Sequence, residues 1–134
     1  MPRSSNPQPP CLDARLAAAA NYVRPGRAAA DIGCDHGKLS AWLAGSGRCP
    51  RVFACDLRPG PLAKAEKTCA PWADAVECRL GSGLSVLAPG EASEIIIAGM
   101  GAEALPGMGA VSITERSQFM FRGINRGIFL RFGQ

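Results

Sequence analysis

Residues 31–37 read Asp-Ile-Gly-Cys-Asp-His-Gly and hold two carboxylates, a thiol, the chain's single histidine and two glycines. Side chains of these types can move protons or stabilise a cation. Glycines at this spacing after an apolar run mark a turn that holds a cofactor. The dinucleotide fingerprint G-x-G-x-x-G, started at Gly33, meets Asp35 and Lys38 where its second and third glycines belong. The second glycine normally lets backbone approach a diphosphate. A carboxylate there would repel it by roughly 4 kcal/mol at ~4 Å and an effective dielectric of ~20. No G-K-[ST] follows either, so NAD, FAD and nucleoside triphosphates are disfavoured.

A cationic cofactor without phosphate removes the conflict. S-adenosylmethionine carries a sulfonium and an ammonium group, together with two free ribose hydroxyls. The spacing D-x-G-x-x-x-G of Asp31, Gly33 and Gly37 suits a turn around such a ligand. The N-terminus of the helix that follows can face its carboxylate. Asp56 stands 23 residues after Gly33, where an acid can accept both ribose hydroxyls. Its neighbour Leu57 is placed with it among the cofactor contacts. Ser82 and Gly83, in Gly81-Ser82-Gly83, are expected near the adenine. Gly99, in Ala98–Gly101, is expected where a target base would meet the methyl group. Each assignment has a plainer alternative. Asp31 could simply fix the turn, His36 could be a helix-start residue, and Asp56 could be a helix cap or turn aspartate.

These residues must be carried by an alternation of strands and helices. Segment 11–23 reads as a helix, with Leu12, Leu16, Ala19 and Val23 on one stripe. Residues 27–33, 51–56, 75–83 and 94–101 read as strands that end in glycine or aspartate. Residues 36–47 and 60–72 read as helices, and 84–90 as a short one. Repeated β-α-β units predict an α/β fold, a parallel sheet with helices on both faces. Ligands of such sheets bind beyond the carboxyl ends of the strands.

The 134 residues fit one domain. Residues 1–10 read as a disordered segment, 11–105 as the cofactor-binding domain and 106–134 as an atypical tail rich in glycine, phenylalanine and arginine. The tail reads as irregular. The alternatives are a hairpin around Ile124–Gly127 that closes the sheet edge and an Arg/Phe strip for RNA. The net charge is +4, but residues 1–105 hold 11 basic and 10 acidic residues while the tail holds 4 and 1. The basic excess therefore lies mostly in the tail. Six cysteines without C-x-x-C spacing, beside one histidine, predict buried thiols and no metal site. Apolar runs are too short for a membrane span of about 20 residues. With no signal-peptide layout at the start, the expected location is cytoplasmic. Nothing in the sequence fixes an oligomeric state.

The pieces LDARLAAAANYV, ADIGCDHGKL, RLGSGL and IIIAGMGAE, in that order and spacing, resemble the bacterial tRNA (adenine-22-N1)-methyltransferases over about residues 11–105. The resemblance implies a Rossmann-like class I methyltransferase fold, incomplete here on its C-terminal side. It also implies S-adenosylmethionine as cofactor, tRNA as substrate and methyl transfer to N1 of adenine 22. Asp35, also placed among the cofactor contacts, is the implied catalytic carboxylate that stabilises charge or takes a proton, with His36 second. Ser82 stands where the family commonly has aspartate, and nothing after Leu105 matches its helical domain. Two alternatives accompany this reading: a truncated, non-catalytic cofactor-binding remnant and an NAD-dependent oxidoreductase.

Overall fold

Three of the four central strands are made entirely of buried residues, so their sequences are apolar runs without alternation. The computed structural model describes residues 7–97, 118–122 and 127–131. Strands β1 (Ala29–Ile32), β2 (Val52–Asp56), β3 (Val76–Leu80) and β4 (Glu94–Ile97) are mutually parallel, in the order β3-β2-β1-β4. The chain steps outward from β1 to β3 and returns to β1's other side at β4. The switch in strand order therefore lies between β1 and β4, and the glycine turn leaves β1 there.

Helices α1 (Ala14–Tyr22), α2 (Lys38–Gly45) and α3 (Pro59–Cys69) pack on one face of this sheet. Asp13 caps α1 by accepting the Leu16 N–H at 2.8 Å. Pro59 opens α3 at a position that needs no donor. Ala19, Ala20 and Val23 of the α1 region, Leu39 and Leu43 of α2, and Leu62 and Ala65 of α3 meet Ala29, Val52, Ala54 and Ile96. On the other face Ala30, Ile32, Phe53, Cys55, Ile95 and Ile97 are covered by Leu84, Val86, Leu87 and Ala92. Helices were expected on both faces. Among the described residues all three α-helices share one face, and a 3-10 turn at Gly83–Val86 leads the cover of the second. That turn is held by Arg79, whose guanidinium donates to the Val86 carbonyl and the Glu91 carboxylate. Arg79 also lies 4.4 Å from the Phe53 ring centroid.

Segments 118–122 and 127–131 form strands β5 (Gln118–Arg122) and β6 (Gly127–Arg131), an antiparallel hairpin. Strand β6 pairs antiparallel with β4, from Glu94↔Arg131 to Ile97↔Ile128. In these segments the hairpin alternative, not the irregular tail, is the structure found. Cross-strand pairing onto the open edge of β4 outweighs turn chemistry that is only moderate. Residues 1–6, 98–117, 123–126 and 132–134 lie outside the described residues, and with them Gly99, the Ala98–Gly101 loop and most of the remaining tail. All six cysteines are free thiols: Cys34, Cys49, Cys55 and Cys69 are buried, Cys78 is half-buried and Cys11 is exposed. No helix among the described residues is long and apolar enough to cross a membrane.

Candidate active site at the carboxyl end of the sheet

The glycine turn is shaped by three left-handed residues in five positions: Gly33 at φ 76°, Asp35 at φ 54° and Gly37 at φ 82°. At Gly37 a side chain is excluded twice. Its φ disfavours one, and an added Cβ would stand 2.9 Å from the Ala65 Cβ of α3. The turn is strapped to β2, because the N–H groups of Gly33 and Cys34 both donate to the Cys55 carbonyl, at 2.8 and 2.9 Å. The Asp35 N–H donates to Asp56 Oδ2 at 2.9 Å. Three successive amides therefore point at the end of β2. A phosphate nest would need such amides directed outward.

What the turn presents instead is negative charge. Asp31 is buried, and the Ser40 hydroxyl of α2 donates to its Oδ2 at 2.9 Å. Burial pushes its carboxyl up to about 6. The Ser40 hydrogen bond opposes this shift, the Asp56 charge adds to it, and the Arg15 charge acts the other way. Asp56 is buried at the end of β2. Its Oδ1 accepts the Arg58 backbone N–H at 2.9 Å and Nε at 3.3 Å. The N-cap position of α3 is Arg58, so Asp56 acts as a turn aspartate and is not the cap. Asp35 is exposed; its Oδ1 lies 3.7 Å from Arg58 Nη2 and 3.8 Å from His36 Nε2, and His36 is half-exposed.

Of the residues singled out in the sequence, Asp31, Gly33, Asp35, His36, Gly37, Asp56 and Leu57 thus lie along the adjoining ends of β1 and β2. Leu57 is 57% exposed. Leu80, paired in register with Asp56, is 56% exposed, an apolar patch at the same sheet edge. Ser82 is exposed beyond β3, and its carbonyl accepts the Ser85 N–H at 3.1 Å. Gly83 follows at φ 53°. Three neighbours escaped sequence reasoning. Ser40 had one signal, a hydroxyl inside the apolar run of α2. Leu80 had another, an apolar residue directly before Gly-Ser-Gly. Arg58 had only its place two residues after Asp56.

Residues 12–129 match the family described as Methyltransferase domain. The chain belongs to the methyltransferase-domain family. Within this family's reach, the chain is 34% identical over 92 residues to the tRNA (adenine(22)-N(1))-methyltransferase of Bacillus subtilis. That match covers 67% of this chain and 39% of the relative, so the methyltransferase domain described here spans about two fifths of its length. The crystal structure of the B. subtilis m1A22 tRNA methyltransferase TrmK superposes with a TM-score of 0.72 at 25% identity. It is matched over 92% of this chain and 68% of that one. A Streptococcus pneumoniae protein, described as a putative tRNA (m1A22) methyltransferase in complex with S-adenosyl-L-methionine, shares the fold. Its TM-score is 0.61 at 15% identity, over 92% of this chain and 74% of that one.

Proposed function

We propose that this methyltransferase domain binds S-adenosylmethionine at the carboxyl ends of β1 and β2 and methylates tRNA at N1 of adenine 22. One observation carries the cofactor choice. The glycine turn spends its amides on Cys55 and Asp56 and turns the Asp35 carboxylate outward, while Asp31 and Asp56 are buried. Such a surface attracts a sulfonium or ammonium group and repels pyrophosphate, which also counts against the NAD alternative. The substrate rests on the named relatives in B. subtilis.

In this reading Asp56 accepts the ribose hydroxyls through lone pairs left over from Arg58 and Asp35. Leu57 and Leu80 supply apolar surface for adenine, and the segment at Ser82 and Gly83 borders its edge. Asp31 sets the negative potential of the turn from within, and Gly37 lets α2 start against α3. When bound, S-adenosylmethionine supplies an electrophilic methyl group. Methylation at N1 makes an adenine cationic, so an adjacent carboxylate stabilises that charge or takes an N6 proton. Asp35, exposed at the mouth and fixed in the left-handed region, has that role, with His36 beside it. Most of the rate enhancement is then positioning, up to about 7–11 kcal/mol. The target base must turn out of its stack to reach these residues. The location that goes with this reading is the cytoplasm.

Titration calorimetry with S-adenosylmethionine and with NAD tests the cofactor, and transfer of labelled methyl to tRNA, mapped to position 22, tests the reaction. Binding of NAD alone would overturn the assignment. Binding of S-adenosylmethionine without transfer would favour the second reading, a non-catalytic cofactor-binding remnant.

A further inference from the structure

Arg58 is a cation that the site already holds. Its backbone N–H is pinned by Asp56 Oδ1 at 2.9 Å, and Pro59 follows as the first residue of α3. The position of Arg58 is therefore fixed by its neighbours' chemistry, and its side chain is 64% exposed. The guanidinium reaches back over the mouth, with Nε 3.3 Å from Asp56 Oδ1 and Nη2 3.7 Å from Asp35 Oδ1. It spans Asp56, assigned above to the ribose, and Asp35, assigned above to the charge that methylation places on adenine, at whose reacting nitrogen the sulfonium methyl must arrive.

We propose that Arg58 sets how strongly the site prefers the cationic methyl donor over its spent product. The inference rests on the cofactor reading. Donor and product share adenosine and amino-acid ends and differ at sulfur, which is a sulfonium in S-adenosylmethionine and a neutral thioether in S-adenosylhomocysteine. A guanidinium between Asp35 and Asp56 offsets part of the field that would favour the sulfonium. It repels the donor by charge and leaves the product's sulfur unaffected. Arg58 thereby narrows the donor-to-product affinity ratio. Because the group is exposed, its effect is modest and screened by salt.

The test is calorimetric titration of the full chain with each ligand, at low and at about 0.5 M salt, for wild type, Arg58→Gln and Arg58→Lys. Arg58→Gln is expected to raise the ratio of donor to product affinity about two- to fivefold at low salt, with the gap closing at high salt. Arg58→Lys, which keeps the charge, is expected to leave the ratio near wild type. A ratio that Arg58→Gln leaves unchanged, or that both variants shift alike, overturns the proposal while the cofactor reading stands. Failure of wild type to bind either ligand removes the cofactor reading and this inference with it.

Discussion

Two buried acids sit at opposite ends of neighbouring strands, and they are treated differently. Glu94 opens β4 at 2% exposure and is gripped by Arg24 through the backbone N–H at 2.8 Å, Nε at 2.9 Å and Nη2 at 2.7 Å. Asp31, in β1, is 3% exposed, and among the described residues a single hydroxyl donates to it. The first is a fully matched ion pair that ties the α1–β1 connection to the base of the sheet. The second keeps its desolvation largely uncompensated, close to Asp35 and Asp56. A chain that can match a buried carboxylate so completely at one end leaves another half-matched at the end where a cationic ligand is proposed to bind. On the proposed function, the contrast separates an acid that serves the fold from one that serves the site.

The contrast can be broken by substitution. Glu94→Ala removes the buried carboxylate that holds Arg24 through three donors and should destabilise the chain by about 3–5 kcal/mol in urea denaturation; a loss under 1 kcal/mol would mean that the two acids are not different in kind. Asp56→Asn should weaken S-adenosylmethionine about 100-fold by calorimetry, since an amide accepts through one atom only. Asp31 should give stability a pH dependence of definite sign. Its folded pKa, about 6, lies above the unfolded value, so the folded state holds the extra proton. Stability should fall as pH rises from about 4 to 6, by about 2–3 kcal/mol at full ionisation. Asp31→Asn should lack that contribution and match or exceed wild type at pH 7, as urea midpoints across this range would reveal. Ser40→Ala, the smallest change, should cost about 1 kcal/mol at pH 7 and move the inflection further upward.

The parallel core of this molecule was legible because its strands are short apolar runs that end in glycine or aspartate, and its helices carry stripes at helical spacing. The turn at Asp31–Gly37 was legible as a turn because glycines stand at two of its three left-handed positions. Sequence spacing could not show that Ser40 reaches Asp31 or that Arg58 bridges Asp35 and Asp56, because those contacts arise from how α2 and α3 dock on the sheet. The hairpin β5–β6 was under-read for a related reason. Its own turn residues argue weakly, and its partner, the edge of β4, lies more than twenty residues away in the chain. The sharing of one face by all three α-helices is likewise a docking outcome that periodicity does not encode.

Among the described residues the thiols are unequally accessible, and this gives the protein a practical property. Burial pushes Cys55 and Cys69 up to about 12 and Cys49 to about 11, drives Cys34 higher still, and raises half-buried Cys78 as well. A thiol held so far from ionisation is a poor nucleophile at neutral pH. Cys11, exposed just before α1, stands apart from them. In the folded chain a maleimide dye would therefore attach first at Cys11, giving an unengineered attachment point from which the whole domain can be followed by fluorescence.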